Sequence, residues 1–385
     1  MELSIYLKPI LSACYIFPFL AGLFTLPYVI FQYRKYGSIL ILRVAIVYTF
    51  IFYMMTSYFM TILPLPPVDS VTADTASVLL TPFDAFYNWK ATSGIDFSDP
   101  STYLHSLKNE YFLQIFFNIL LLCPFGVYLR YYFNRKWYQV IVLSFLYSLF
   151  FELTQLSGLY GIYPYPYRFF EVDDLICNTL GGFLGFLCTP LLLFMLPDRK
   201  RLDDISYEKG THVTIFRRML ALSFDMAIIG ISYILLIKKT YISTILPEYA
   251  HGLIIPFLAF IYFTLTTLIF RGYTLGKFIV KIRIVNEDGS KAPFHMLVIR
   301  NAILYLLLLP SIIYSTSLIE YIDTITNSTK QFFAFIGISI LMAIAVYFAL
   351  NMLSCFVKKQ VQFKYDKICH LMVVSTVRNR SSDDD

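Results

Sequence analysis

Nine long apolar segments constrain this chain more than any other feature. They lie at residues 9–31, 38–63, 110–131, 137–156, 172–196, 216–237, 251–270, 296–315 and 332–357. Most of them match the about 20 residues with which a helix crosses the hydrocarbon core of a bilayer. With 58% hydrophobic and 15% charged residues, a water-soluble fold would expose large apolar patches. The pattern predicts an all-α, polytopic integral membrane protein: a bundle of about nine transmembrane helices.

Lysine and arginine collect in every second loop between these segments. One alternating set of loops, together with the C-terminal tail, holds 22 basic residues, whereas the other set holds seven. Because cytoplasmic loops carry the excess of lysine and arginine, this asymmetry predicts an N-terminus outside and a C-terminus in the cytoplasm. The same topology accounts for the net charge of +6, so no nucleic-acid partner is expected.

A polar stretch, PDRKRLDDISYEKGTHV, divides the chain between its fifth and sixth apolar segments. We therefore expect a five-helix membrane domain at 1–196, a cytoplasmic linker at 197–213, a four-helix membrane domain at 214–357 and a cytoplasmic tail at 358–385. The six cysteines form no CxxC pair and the five histidines are scattered. No metal site and no cofactor are expected, and the cysteines are interpreted as small apolar residues.

Polar side chains from three segments of the first half reach similar depths below the outer surface. Glu152 and Gln155 share a helix face by their i, i+3 spacing, and Asp174 and Asn178 do so by four-residue spacing. Polar groups at such depth are costly unless they meet partners or water, and they often mark a functional pathway. The predicted ligand-binding residues are Asn118, Glu152, Gln155, Arg168, Asp173, Asp174 and Asn178. Two simpler interpretations stay open: that the aspartates cap a helix, and that Glu152 pairs with Arg168 across the loop.

Small residues and prolines in the same segments predict close helix packing. Gly181 and Gly185 form a small-xxx-small face that lets a neighbouring helix approach. Pro124 and Gly126 are expected to loosen the third span and free backbone groups near the site. The loop YGIYPYPYRFF adds an aromatic rim typical of a membrane interface.

The motifs NILLLCPFGVYL, FELTQL and RFFEVDDLICNTLGGFLG, in this order and spacing, resemble the VanZ-like family over about residues 35–195. The matching positions are Asn118, Pro124, Gly126, Glu152, Gln155, Arg168, Asp173, Asp174, Asn178, Gly181 and Gly185. The resemblance implies a multi-pass protein of the bacterial cell membrane, in a Gram-positive organism, and a contribution to glycopeptide resistance of the teicoplanin type.

The second half resembles the RDD family over about residues 211–357. The residues that carry this resemblance are Arg218, Asp225, Thr274, Gly276, Lys277 and Arg300. The family usually has a second aspartate in a later span, and segments 251–270 and 296–315 contain none. Proton or ion coupling has been proposed for some members of this family, and the missing aspartate weakens that expectation here. Pairing of Asp225 with Arg218 across two helical turns is one interpretation of the first motif.

The leading expectation is recognition or handling of a membrane lipid or lipid-linked cell-wall precursor at the outer leaflet, with an effect on teicoplanin-type antibiotics. One alternative is an ion-coupled transporter or antiporter that uses Asp225 in the second half. Another is an intramembrane enzyme that uses Glu152 and Asp174 as acid and base. The sequence shows no nucleophile with a positioned base, so enzymatic activity is the weaker expectation.

Overall fold

The computed structural model describes residues 3–75, 78–96, 98–194, 197–235, 248–312, 328–358, 360 and 362–377. Three predictions fall partly beyond these ranges. They concern the outer loop with Lys238 and Lys239, the last residues of segment 296–315, and the tail after residue 377, which lie outside the described residues.

The described chain is predominantly helical, as the apolar segments predict. The long helices are α1 (Leu3–Tyr36), α2 (Ile41–Ile62), α5 (Glu110–Tyr131), α6 (Trp137–Leu156), α8 (Val172–Leu193), α10 (Ile215–Tyr233), α11 (Glu248–Ile269) and α14 (Ser328–Val357). The shorter ones are α3 (Asp84–Thr92), α4 (Tyr103–Ser106), α7 (Gly158–Gly161), α9 (Arg199–Thr211), α12 (Leu275–Ile279), α13 (Phe294–Ala302) and α15 (Lys364–Ile368). Helix α13 continues as a π-helix over Ile303–Leu308.

Seven of these helices are long and apolar enough to cross a membrane. They comprise Leu7–Tyr36, Ile41–Ile62, Glu110–Tyr131, Trp137–Leu156, Val172–Leu191, Phe294–Ile312 and Ser328–Val357. The prediction of an all-α, polytopic membrane protein is confirmed. Helix α10 corresponds to a predicted span but carries three charged residues, and the apolar part of α11 covers Ile254–Ile269. The count of nine spans and the orientation of the termini stay predictions.

The chain divides into two compact units. Unit 1 comprises Met1–Leu26 and Leu40–Asp203, and unit 2 comprises Pro27–Ile39 and Asp204–Asp385. In unit 1, α8 packs against α5 and α6, and an apolar core forms around Leu122, Phe125 and Phe151. In unit 2, Tyr33 from the end of α1 packs with Ala221, Val280 and Ile282, so residues 27–39 group with the second half of the chain.

Two small sheets supplement the helices. Strand β1 (Val78–Leu79) pairs in parallel with β2 (Phe170–Glu171), and β3 (Ile282–Asn286) pairs antiparallel with β4 (Leu371–Ser375). Helix α15 and strand β4 lie in the stretch expected to be the cytoplasmic tail, so the first part of this stretch is folded. The run LMVVS is apolar and rich in β-branched residues, which is a strand pattern. It is too short to be predicted as a membrane-spanning segment.

The loop between α2 and α5, here called the outer loop after its predicted location, is also structured. Besides β1, it contains α3, α4 and two 3₁₀ turns at Val68–Ser70 and Pro100–Thr102. Asn109 caps α5 by accepting a hydrogen bond from the Tyr111 amide. The β1–β2 pairing ties this loop to the residues that lead into α8, next to the predicted ligand-binding residues.

Candidate functional site

Unit 1 contains a cavity of about 390 Å³, within the size range of small-molecule sites, about 300–1,000 Å³. Six of the seven predicted ligand-binding residues line it: Asn118, Glu152, Gln155, Arg168, Asp174 and Asn178. Helices α5, α6 and α8 each contribute, as their sequence spacing predicts. Helix α2 forms a further wall with Tyr53, Thr56, Ser57, Met60 and Thr61.

Asp174 is held by a neighbouring helix. The Nδ2 atom of Asn118, on α5, donates a hydrogen bond of 2.5 Å to Asp174 Oδ1. Asp174 lies in the first turn of α8, where the helix dipole favours a carboxylate. The Asn118 amide therefore fixes the direction of the carboxylate, and the pair forms one wall of the cavity.

Glu152 and Gln155 lie on the opposite helix, α6, and both side chains are buried. The backbone amide of Glu171 donates to Glu152 Oε2 at 3.0 Å. The Nε2 atom of Gln155 donates to the Thr61 carbonyl at 2.8 Å. A buried carboxylate needs such donors because its desolvation is costly, and the two contacts hold these side chains at the edge of the cavity.

Arg168 is anchored by backbone carbonyls rather than by a carboxylate. Its Nη1 and Nη2 atoms donate to the carbonyls of Thr61 and Leu63, at 3.0 and 3.2 Å. Within the described residues, Glu152 forms no ion pair with Arg168, so this simpler interpretation of Glu152 is not what the structure shows. A guanidinium has five N–H donors, and these two contacts leave donors on Arg168 for a ligand.

Asn178 provides an unsatisfied acceptor in the cavity. Its Nδ2 atom donates to Ser148 Oγ at 2.9 Å, and only 2% of the residue is exposed. Its Oδ1 atom has no hydrogen-bond partner among the described residues. Buried polar atoms are nearly always hydrogen-bonded in native proteins, so this oxygen points to a donor that binds in the cavity.

Asp173 does not line the cavity. Its two carboxylate oxygens accept hydrogen bonds from the backbone amides of Phe83 and Ala85, at 2.5 and 2.8 Å. It therefore caps the start of α3 in the outer loop. Helix capping was the simpler interpretation of the aspartates, although Asp173 caps α3 rather than α8.

Three of the four predicted packing residues, the glycines, lie where α5 meets α8. A Cβ atom on Gly181 or Gly185 would collide with the backbone carbonyls of Ile119 or Cys123 on α5, and one on Gly126 would collide with the Gly182 carbonyl. Glycine at these positions allows the two helices to approach closely enough for Asn118 to reach Asp174. Pro124 lies inside the continuous helix α5 and lines the cavity.

Several residues that contact the site residues were not predicted from the sequence. Gln114 donates to Glu171 Oε2 at 2.7 Å, and its four-residue spacing from Asn118 was a usable signal. Ser148 lies four residues before Glu152 in the same way. Burial raises the pKa of the Glu171 carboxyl; the Gln114 hydrogen bond opposes this shift, and the charges of Asp173 and Asp84 add to it. The contribution of the Thr61 and Leu63 carbonyls had no signal, because backbone acceptors are present at every residue.

The aromatic rim divides into two groups. Tyr163 and Tyr167 are buried against Ile62 and Val71, and the Tyr163 hydroxyl donates to the Pro66 carbonyl at 2.8 Å. Tyr160, Tyr165 and Phe169 are exposed. The buried pair anchors the outer loop, and the exposed rings are the ones that stay predicted to form the rim at the membrane interface.

In unit 2, Asp225 is fully buried and accepts three hydrogen bonds. They come from the hydroxyls of Thr274 and Tyr262, at 2.5 and 2.7 Å, and from the backbone amide of Gly276, at 2.8 Å. A Cβ atom on Gly276 would collide with the Ala221 carbonyl of α10. The motif residues Thr274 and Gly276 therefore attach the start of α12 to α10. Asp225 does not pair with Arg218, contrary to the interpretation offered by the sequence.

Arg218 and Arg300 share a different carboxylate. Asp366, on α15, accepts from Arg218 Nη2 at 2.6 Å and from Arg300 Nε at 2.8 Å, and it is fully buried. Burial raises the pKa of Asp366, but Arg300 and Arg218 outweigh this effect and lower it overall. The second aspartate that is usual in the RDD family is missing from segments 251–270 and 296–315, and Asp366 lies beyond both.

Lys277 is also one of the predicted RDD-like residues, and 8% of its surface is exposed. Its Nζ atom lies 3.5 Å from Thr274 Oγ1 and 5.2 Å from the centre of the Phe263 ring. Burial, followed by the charge of Arg300, lowers the pKa of Lys277 to about 7. Of the predicted RDD-like residues, Arg218, Lys277 and Arg300 line one cavity, and Asp225, Thr274 and Gly276 form the adjoining helix contact.

Comparison with protein families gives two matches in one chain. The VanZ/LLP1 family model matches residues 50–194, and the RDD family model matches residues 213–370. The second match extends past the expected end at 357 and includes Asp366. No curated protein and no solved structure matches the chain. Both resemblances predicted from the motifs are confirmed: this polypeptide is a multi-pass membrane protein that joins a VanZ-like region to an RDD family region.

Proposed function

We propose that the VanZ-like region recognises the polar headgroup of a membrane lipid or lipid-linked cell-wall precursor at the outer leaflet. A further consequence of this proposal is reduced sensitivity to glycopeptides of the teicoplanin type. The outer location follows from the loop charges, which predict an N-terminus outside.

The observation that carries the proposal is the unsatisfied Oδ1 atom of Asn178. Asn178 lines a cavity whose other lining residues include Glu152 and Asp174. Three acceptor groups in one cavity suit a ligand rich in donors, such as the hydroxyl groups of a sugar or an ammonium group. A buried acceptor without a partner costs about 1–3 kcal/mol. A ligand that donates a hydrogen bond to it removes this cost, which favours binding.

Arg168 supplies the complementary charge. Its guanidinium is held at the cavity by the Thr61 and Leu63 carbonyls, and its planar fork suits the oxygens of a phosphate. A lipid-linked headgroup combines both chemistries, because it carries phosphate next to hydroxyl or amine donors. An acceptor cluster beside one arginine therefore fits such a headgroup better than it fits a simple anion.

The test is protection against teicoplanin in a sensitive Gram-positive host. The wild-type chain is expected to raise the inhibitory concentration, and Asp174→Ala is expected to abolish the increase. Asp69→Ala, an exposed aspartate in the outer loop, is the matched control and should protect as well as wild type.

Asp174→Asn is a milder companion variant, and the amount and thermal unfolding temperature of each variant in membranes must be compared with wild type. Equal protection by wild type and Asp174→Ala would contradict the proposal. Loss of protection with normal folding in both Asp174 variants supports it.

A further inference from the structure

Unit 2 contains a second cavity, of about 370 Å³. Its walls are mainly apolar and include Met219, Leu222, Leu308 and Met352. Its charged lining is confined to Arg218, Lys277 and Arg300, and among the described residues no carboxylate lines it. The cavity is therefore amphipathic, with basic groups on an otherwise apolar surface.

Two carboxylates next to this cavity are already engaged within the protein. Asp366 contacts two guanidiniums, those of Arg218 and Arg300. Asp225, the other acidic group near Lys277, accepts its three hydrogen bonds from uncharged donors. Because the described lining of the cavity presents three basic side chains and no carboxylate, an anionic group is the ligand chemistry that it favours.

Lys277 has unused hydrogen-bonding capacity in this cavity. Its ammonium carries three donors, whereas its hydrogen bond within the described residues is the 3.5 Å contact with Thr274 Oγ1. The contact with the Phe263 ring, at 5.2 Å, is a weak cation–π interaction. At least one N–H group of a buried lysine therefore remains for a ligand.

We propose that the RDD region binds an anionic amphiphile, a molecule with a phosphate or carboxylate head and an acyl chain, in this cavity. The head contacts Lys277 and the two arginines, and the chain lies against the methionine and leucine wall. A free inorganic anion would satisfy the charges but would leave the apolar wall uncovered. This site is separate from the headgroup site of the VanZ-like region, so either assignment can fail without the other.

The experiment measures lipid binding to the purified full-length chain in detergent by native mass spectrometry. The probes are lysophosphatidic acid, lysophosphatidylcholine with the same acyl chain, and inorganic phosphate. We expect binding of lysophosphatidic acid at least tenfold tighter than that of lysophosphatidylcholine, and no retained inorganic phosphate. Equal binding of the two lipids, or binding of inorganic phosphate as tight as that of lysophosphatidic acid, would overturn the proposal.

Two variants locate the site. Lys277→Met keeps the length of the side chain and removes its charge, and it should weaken binding of lysophosphatidic acid by about tenfold, the effect of one charge-assisted hydrogen bond. Ala349→Phe fills the cavity from α14 without altering a charge and should abolish binding. Ala343→Phe, at an exposed position on α14 that does not line the cavity, is the matched control and should bind as wild type. Wild-type affinity in both Lys277→Met and Ala349→Phe would overturn the assignment.

Discussion

The two cavities have similar volumes, about 390 and 370 Å³, but opposite charged linings. The VanZ-like cavity contains two carboxylates, an unsatisfied amide oxygen and one arginine that is already bonded to carbonyls. The RDD cavity contains two arginines and a lysine. Since specificity follows from which groups are left without partners, the first cavity favours ligands with donors and the second favours anions.

The difference also shows how each unit secures its polar groups. In the VanZ-like region, amides and backbone groups hold the carboxylates, so Asn118 and the Glu171 amide bond to Asp174 and Glu152. In the RDD region, one buried carboxylate holds two arginines from different elements. A network of neutral donors tolerates the loss of one contact better than a buried ion cluster does, and this contrast leads to the following predictions.

The largest effect is expected for Asp366→Asn. Removing the charge takes away the carboxylate that Arg218 and Arg300 share, and breaking a buried ion pair costs about 3–5 kcal/mol. The thermal unfolding temperature of the purified chain in detergent should fall by roughly 10 °C. Asp288→Asn, in an exposed turn after β3, is the control and should unfold like wild type; an equal, small change in both variants would show that the ion cluster is dispensable.

A smaller effect is expected for Gly181→Ala in the VanZ-like region. The added methyl group meets the Ile119 carbonyl, and such overpacking typically costs about 1–3 kcal/mol. Gly22→Ala is the control, because no atom lies within 4 Å of the added Cβ there. Thermal unfolding of the two variants in parallel measures the difference, and an unchanged unfolding temperature for Gly181→Ala would show that α5 and α8 can separate without loss.

A third prediction is a pH dependence from Lys277. Its pKa in the folded chain is about 7, whereas in an unfolded chain it is about 10.4. Between these values the unfolded chain binds more protons, so stability should rise as the pH increases from 7 to 10. The charged groups that face it are Arg218 and Asp225 from α10, Arg300 from α13 and Asp366 from α15.

Unfolding temperatures at pH 7, 8 and 9 measure this rise, and Lys277→Met should reduce it. Arg271→Met, an exposed basic residue between α11 and α12, is the control and should keep the slope of wild type. An identical pH slope in wild type and Lys277→Met would mean that the lysine is solvated in the folded protein.

Most of the predicted residues line the VanZ-like cavity, and the sequence indicated them because polar residues are conspicuous in apolar helices. Asn118, Glu152 and Asn178 each interrupt a hydrophobic run, and helical spacing placed them on the right faces. The contribution of α2 was harder to predict from the sequence, because it comes largely from the Thr61 carbonyl, which accepts hydrogen bonds from Gln155 and Arg168. Asp173 and Asp174 are adjacent and chemically identical, so only the fold shows that one binds α3 while the other lines the cavity.

In the RDD region, the carboxylate that contacts both arginines lies far from them in the sequence. Asp366 lies 66 residues after Arg300 and 148 after Arg218, in a stretch that hydropathy placed outside the domain. Periodicity identifies the faces of long helices but gives no information on contacts with a five-residue helix such as α15. The apolar run of β4, with strand β3 as its partner, was the available signal that the folded region continues beyond residue 357.

The most direct measurement of the central claim is a crossed binding experiment on the full-length chain. Native mass spectrometry would follow two probes, a polyprenyl-linked cell-wall precursor and lysophosphatidic acid, in wild type, Asp174→Asn and Lys277→Met. The account predicts that Asp174→Asn loses the precursor and keeps lysophosphatidic acid, whereas Lys277→Met keeps the precursor and binds lysophosphatidic acid about tenfold more weakly. Loss of both probes in one variant, or retention of both in each, would contradict two separate sites of opposite charge preference.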